Sequence, residues 1–472
     1  MSDFTTPTEL IDALSKYFLP QIFQTEDFQS FEAGLTVQFR SLAAKCMSSV
    51  LEQFDQSLVA NKPQGWTIHA KEKRTLLTLV GRVEFVRTCF KDEFGRRRLL
   101  ADELLGIPER GVFSQGAFLW IATQAAELSY RKTAKAFLEQ TGASISHVSV
   151  MRVVHTEGKL IKDSKAIHTK ISTEKLCLET DGVWIHLQNP KHRKHALPRS
   201  VYELARQAQS FELKVACLYA GKIKEKGRTK RLGVSVSCSD SVADQFWEHV
   251  FEMICDDFEE QDIKHIIAGS DGATWCSGEH LSKFMSRSVQ IEHHLDLFHL
   301  MQAITKAFPK GSAREKARQL AFLGKARALS LACKQIATRL DESTRKRRLR
   351  ELAVYCENHR DEISACPPSL GTMEGTIAHV VAARTKGQGR SWSRAGAEAM
   401  VLIRCRIASG KPLVAPVRNP FFTEQQLQAK ETYLSKLVSS SVPLYEGHGW
   451  DYPYQVNTQS LSTAARYVAH TE

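Results

Sequence analysis

The chain changes its hydrophobic period several times. Residues 1 to about 60 read as helical, although Leu35, Val37 and Phe39 alternate briefly as a strand would. The longer pattern there, Phe39, Leu42, Ala43, Cys46, Met47, Val50, Leu51 and Phe54, is one apolar stripe at three- and four-residue spacing. Asn61-Lys-Pro-Gln-Gly65 breaks it. Trp66 to Leu99 partly alternates, with turns at Val80-Gly-Arg82 and Lys91-Asp-Glu-Phe-Gly-Arg96, and predicts β-hairpins: a platform or end-recognition module. Gly116 to Ser164 returns to helical spacing. Tyr130–Gln140 predicts a first helix, Thr141-Gly142-Ala143 a turn, and Ser146 the cap of a second helix.

From Lys175 the pattern is that of strands. Leu176 to Gln188, Phe211 to Ala220 and Leu232 to Cys238 predict three, with a basic turn, Lys222 to Arg231, before the last. An amphipathic helix over Ser241–Asp257 follows, with Val242, Phe246, Val250 and Ile254 on its apolar face. A strand then leads to Asp271, a helix covers Glu279–Met285, and a strand covers Ser288–Glu292. Leu300 to about Ser364 is helix after helix, broken at Pro367-Pro368. Glu374 falls in the first turn of another helix, and Trp392–Arg406 predicts the last. The expected segments are 1–65 (helical), 66–110 (β-hairpins), 111–170 (helix-turn-helix), 171–303 (first part of an α/β core), 304–368 (basic helical insertion), 369–410 (end of the core) and 411–472 (tail).

Composition narrows the class. At 472 residues the chain is long enough for two or three domains, and 43% hydrophobic with 25% charged residues is ordinary for a globular protein. No apolar run is long enough for a membrane helix, and Met1–Pro7 lacks a basic region followed by an apolar one, so neither membrane nor secretory leader is expected. The 11 cysteines form no CxxC pair, which points to reduced, mostly buried thiols in the cytoplasm.

The net charge of +12 favours a polyanionic partner. Lys306 to Arg350 alone holds fourteen Lys or Arg against three acids, Glu315, Asp341 and Glu342. Arg345-Lys346-Arg347-Arg348 is its densest run. Such a helical surface suits the phosphate backbone; a solvated charged face is the plainer alternative. Ser146, His147, Ser149 and Arg152 on the second helix of the helix-turn-helix would face a DNA groove, unless the three helices merely pack together.

The candidate chemistry lies in carboxylates. Asp181-Gly182 sits inside an apolar strand, where an ionised acid is costly unless a partner or a metal compensates it. A turn at Asp181-Gly182 is the rival reading. A second strand runs into Asp271-Gly272. Two carboxylates at one sheet edge are what a two-metal phosphoryl-transfer site needs. Helix capping is the alternative for Glu374.

Thr180-Asp181-Gly182, Ser270-Asp271-Gly272, Gly371-Thr-Met-Glu374-Gly375 with Ser391-Trp392-Ser393, and Asp296-Leu-Phe-His299 resemble, in this order, motifs of bacterial insertion-sequence DDE transposases. The nearest group is the ISLre type, related to mutator-like enzymes. The resemblance covers roughly residues 70 to 410. It implies a ribonuclease-H-like core interrupted by an all-helical insertion. It implies that Asp181, Asp271 and Glu374 hold two Mg²⁺ or Mn²⁺ ions, with Glu351 and Glu398 as substitutes for Glu374. His299 would support the site or contact DNA, or bond a backbone carbonyl in the core; Asp296 could equally cap the next helix. The implied activity is cleavage of double-stranded DNA at terminal inverted repeats and transfer of the 3′-hydroxyl into target DNA. The implied setting is a homo-dimer or larger assembly on DNA, associated with the nucleoid. A structure-specific nuclease of the same fold, an inactive DNA-binding transposase remnant, and a regulator using only the helix-turn-helix remain as rivals.

Overall fold

The computed structural model describes residues 7–164, 169–188, 210–276, 279–363, 370–387 and 389–416. The expected break at Pro367-Pro368 and the tail from residue 417 onward lie outside the described residues. The chain is mixed α/β, and its described residues divide into two compact units, 7–153 with 414–416, and 154–413.

In the first unit, α1 (Pro7–Ile22) and the long α2 (Phe28–Ala60) precede an antiparallel sheet of β1 (Thr67–Thr78), β2 (Gly81–Lys91) and β3 (Arg97–Arg98). Both predicted turns are present. The face α2 packs against the sheet keeps only the end of the predicted stripe: Leu51 and Phe54 pack on sheet residues, while Phe39, Leu42, Met47 and Val50 are exposed. Its inward face instead carries Glu52 and Asp55, which accept from the Val86 and Thr88 amides at 2.9 Å each. These carboxylates satisfy strand amides that would otherwise be unpaired. The strand suggested by Leu35, Val37 and Phe39 is helix.

A short α3 (Leu100–Leu105) leads to α4 (Gln115–Glu127), α5 (Tyr130–Thr141) and α6 (His147–Asp163), which contains the division between the units. Gly142 ends α5 with φ 73°, a left-handed C-cap that glycine adopts without penalty. Ser146 Oγ accepts from the Ser149 amide at 3.0 Å, the predicted cap. Ser146, His147 and Arg152 are exposed and Ser149 half-buried.

The second unit is built on a five-stranded sheet in the order β10-β9-β4-β5-β8: β10 (Gln290–Leu295), β9 (His265–Ser270), β4 (Lys175–His186), β5 (Ser210–Tyr219) and β8 (Ser235–Ser239). β10, β9 and β4 are parallel; β5 and β8 are antiparallel. Alternate side chains of β4 serve opposite faces. Leu176 and Leu178 pack with Phe246, Trp247, Val250 and Ile254 of α7 (Ala243–Asp257). Val242, expected on that helix face, is the exposed N-cap residue.

Val183 and Ile185 point the other way. They pack with Met373 of α13 (Met373–Thr376) and Val401 of α15 (Arg394–Ala408). A π-helical turn, Ile377–Ala382, joins α13 to α14 (Ala383–Thr385). The basic turn expected over Lys222–Arg231 is a hairpin of its own, β6 (Gly221–Glu225) with β7 (Arg228–Leu232), and the third core strand starts later, at Ser235. The helix expected over Glu279–Met285 is the short α8 (Glu279–Ser282). β10 runs on through His293 and His294, past its expected end.

Between β10 and α13 come α9 (Leu297–Ala307), α10 (Ser312–Phe322), α11 (Ala326–Thr338) and α12 (Thr344–Asn358). They are helical as expected and bury their own core, including Leu300, Ile304, Leu329, Cys333, Leu349 and Leu352. Most cysteines are buried and none is in a disulfide among the described residues. No described helix is long and apolar enough to cross a membrane.

Candidate active site

The register of three parallel strands builds the site. Thr180 pairs with Ser270, and Ser270 pairs with Leu295. One residue further along each strand stand Asp181, Asp271 and Asp296. Three carboxylates therefore form one row across β4, β9 and β10, at the carboxyl ends of β9 and β10, where ligands of such sheets gather. Asp181 is not in a turn: β4 continues for five residues beyond it, to His186.

β9 stops after Ser270 because Gly272 turns the chain at φ +84°. A side chain at Gly272 would meet His359 Cε1 at 2.7 Å and Leu295 Cδ1 at 2.8 Å, so the conformation and the space both require glycine. Asp271 Oδ1 accepts from the Ala273 amide at 2.9 Å. The Asp296 amide donates to the Ser270 carbonyl at 2.7 Å, fastening the end of β10 to the end of β9.

Asp296 does two things at once. Its Oδ1 caps α9 by accepting from the Phe298 amide at 3.0 Å, as the sequence suggested, while Oδ2 lies 3.2 Å from His299 Nδ1. Glu374 arrives from the far end of the helical segment. Ligand atoms of Asp296, His299 and Glu374 all lie within 4.8 Å of one another. Of the acids considered for that place, only Glu374 joins this group. Glu351 is exposed on α12, its Oε1 3.5 Å from Arg347 Nε. Glu398 is buried on α15, 2.6 Å from Lys162, and faces a separate cavity of about 330 Å³.

The electrostatics follow from crowding acids in a partly dry place. Burial, then the neighbouring Asp271, push the Asp181 carboxyl up to about 6, against the opposing pull of His299. Burial and Asp296 likewise raise Glu374. The hydrogen bond to Asp296, with the charges of Asp181 and Asp271, holds His299 above the ordinary imidazole range despite its burial.

Glu374 Oε1 is buried and accepts no hydrogen bond from the described residues. A buried carboxylate oxygen without a donor, among mutually repelling acids, fits a cation site. The donor set is mostly carboxylate oxygen, which suits Mg²⁺ or Mn²⁺.

Two members of this region were not expected as metal ligands or as supports of the site. Asp296 carried a weak signal, its place in Asp296-Leu-Phe-His299. Glu179 carried one only in hindsight, as a second acid on an apolar strand two residues before Asp181. Of the residues expected to contact DNA, Arg345, Arg347 and Arg348 are exposed on α12 and Lys346 is half-buried against Glu342, at 3.1 Å.

Among proteins of known sequence, a UPF0236 protein of Caldanaerobacter subterraneus subsp. tengcongensis is 24% identical over 382 residues, covering 79% of this chain and 77% of that protein. The UPF0236 protein in the vanSb 3′ region of Streptococcus gallolyticus is 24% identical over 369 residues, covering 76% and 78%. Among solved structures, the Drosophila P element transposase strand transfer complex aligns at 9% identity over 70% of this chain and 82% of that one. Its TM-score, 0.23, is too low to show a shared fold. Residues 24–415 match the sequence profile of the Uncharacterised protein family (UPF0236), and the chain belongs to that family.

Proposed function

We propose that this protein is a DDE-type transposase that cleaves DNA at element ends and joins the freed 3′-hydroxyl to target DNA. The observation that carries the reading is the row of Asp181, Asp271 and Asp296 along three adjacent parallel strands or just past their ends, with Glu374 and His299 beside Asp296. The strand order, with β4 beside a parallel β9, supports reading this sheet as a ribonuclease-H-like core. Asp181, Asp271 and Glu374 would hold two Mg²⁺ or Mn²⁺ ions, and Asp296 joins them as a candidate ligand. Bound there, such ions activate an attacking oxygen and stabilise the leaving one.

The residues of the chain do the rest. His299 orients Asp296 through Nδ1 and, when protonated, offsets part of the acidic charge. The basic helices α10–α12 offer a phosphate-binding surface next in sequence to the site, with affinity but little sequence preference. Sequence reading falls to the first unit, through Ser146, His147, Ser149 and Arg152 at the start of α6.

The test uses the full chain, Mn²⁺ or Mg²⁺, and DNA carrying the inverted repeats that bracket the gene. Nicked ends and joined product are expected. Asp181→Ala should abolish both while end binding persists. Nicking without joining would favour a structure-specific nuclease; binding without nicking by the wild type would leave a DNA-binding protein only.

A further inference from the structure

Glu179 lies two residues before Asp181, on the same face of β4, and is 3% exposed. An acid so buried is costly unless its oxygens are used. Here they are. Oε1 accepts from the Tyr219 hydroxyl at 2.8 Å and from the Thr372 hydroxyl; Oε2 accepts from the Thr372 amide at 2.9 Å and the Met373 amide at 3.2 Å.

Thr372 and Met373 open the helical segment that carries Glu374. The first amides of a helix have no partner within it, and Thr372, the residue at the cap position, supplies no side-chain cap. Glu179 supplies it from a strand 193 residues away in sequence. A negative charge there is favoured by the helix dipole as well as by the hydrogen bonds. The clamp ends one residue before Glu374.

Two neighbours restrict the same segment. Arg231 Nη1 donates to Thr376 Oγ1 at 3.0 Å, across the first turn. Gly269 pairs with Glu179 across β4 and β9, and a side chain there would meet Leu370 Cδ1 at 2.6 Å. The missing side chain lets Leu370, just before the clamp, settle onto the sheet.

From this geometry we infer that Glu179 is a positioning residue for the candidate metal site: it fixes Glu374 relative to Asp181 and so sets the affinity for a divalent cation. It touches no cation itself. The inference rests on the two-ion reading above. Cation ligands must stand within a few tenths of an ångström of their places, so loosening one helix start costs affinity before it costs the fold.

The experiment is a double-mutant cycle on the metal-free full chain, titrated with Mn²⁺ by calorimetry or electron paramagnetic resonance, with thermal melts alongside. Glu179→Gln keeps the size but replaces one acceptor by a donor facing an N–H or O–H. It should weaken Mn²⁺ binding about 10- to 100-fold, the usual effect of losing a residue that orients a ligand. Against a Glu374→Gln background it should change affinity by less than about two-fold, because the ligand it positions is already gone. If Glu179→Gln melts below the assay temperature, Thr372→Val, which removes the hydroxyl link to Glu179 and a long contact from Arg231 at 3.5 Å but keeps both amide links, is read in the same cycle.

A folded Glu179→Gln that binds Mn²⁺ like the wild type overturns the inference and leaves the two-ion reading standing. So does an equal loss in both backgrounds, the mark of a purely structural residue. A wild type that binds no Mn²⁺ overturns the two-ion reading and this inference with it.

Discussion

Tyr355 donates its hydroxyl to the backbone carbonyl of Asp271 at 2.8 Å. Tyr355 sits on α12, the helix that also carries Arg345 to Arg348, so the basic helix is tied to the strand end that presents an acid. The ring packs on His359, centroids 4.8 Å apart, and His359 Nδ1 lies 2.6 Å from Glu362 Oε2. Tyr355→Phe keeps the ring and removes one hydrogen bond. The expected loss is about 1 kcal/mol, seen as a melting point lower by roughly 2–4 °C. A melting point unchanged within 1 °C would mean the bond is not maintained in solution.

The acids predict how stability depends on pH when no cation is bound. Asp181 has its folded pKa raised from 3.8 to about 6, by burial first and Asp271 second. A raised folded pKa means the folded state holds the proton more tightly than the unfolded chain. That contribution is fully present below about 4 and is lost as pH rises to about 6. His299 is also raised, chiefly by its bond to Asp296, so its contribution is present below the ordinary imidazole value and fades above it. Measured against Asp181→Asn, the metal-free wild type should therefore lose melting temperature as pH rises from about 4 to about 6. Asp181→Asn should flatten the lower part of that curve. Since Mn²⁺ competes with these protons, its stabilising effect should grow over the same range. Melting curves of wild type and Asp181→Asn at several pH values, with and without Mn²⁺, check the sign; a wild type that gains stability relative to Asp181→Asn between pH 4 and 6 contradicts it.

Some of this was legible in the sequence and some was not, for physical reasons. Asp181 stood out because charge inside an apolar strand has a cost, and Asp271 because a second apolar strand runs into it; both lie in the row across the sheet. Glu374 stood out by family resemblance and by its place in a helix first turn, and it joins Asp296 and His299. The row's third acid was harder to see. Asp296 belongs to it only because β10 continues through His293 and His294, polar residues that break the apolar pattern. Glu179 was invisible because its partners, Thr372 and Met373, are distant in the chain. The β6–β7 hairpin was hidden by its charge, since a two-stranded arm needs no apolar period. On α2 the apolar stripe misled in part: Leu51 and Phe54 do pack on sheet residues, but beside them it is Glu52 and Asp55, not Phe39 or Val50, that face the sheet, because strand amides need acceptors.

Gly272 tests whether the Asp271 turn matters as geometry. At φ +84° any other residue is strained, and a methyl group would press on both His359 and Leu295. Gly272→Ala should cost about 1–3 kcal/mol of stability. Leu295 immediately precedes Asp296, so the same push moves two acids of the row. Mn²⁺ affinity should fall together with stability. Gly371→Ala is the comparison: φ is +65° there as well, but the added carbon meets nothing within 4 Å. If both variants lose stability equally, crowding around Asp271 plays no part.

The basic helix makes the last prediction. Arg345, Lys346, Arg347 and Arg348 open α12, and their pairings with protein are weak ones: Lys346 with Glu342 at 3.1 Å, Arg347 with Glu351 at 3.5 Å, Arg348 with the Lys306 carbonyl at 3.2 Å. Exposed pairs of this kind contribute about 0–1 kcal/mol each, so a phosphate can replace them. Each phosphate contact adds about 0.9 to the slope of log affinity against log salt on duplex DNA. Replacing all four by Ala should lower that slope by roughly 2–4 and weaken binding to every DNA sequence alike. Arg152→Ala, at the start of α6, should behave differently: a small change in slope, and a loss of discrimination between end DNA and random DNA by about 1–3 kcal/mol. Binding measured between 50 and 200 mM salt on both DNAs separates the two effects. An unchanged slope in the four-residue variant would show that the helix faces solvent rather than DNA.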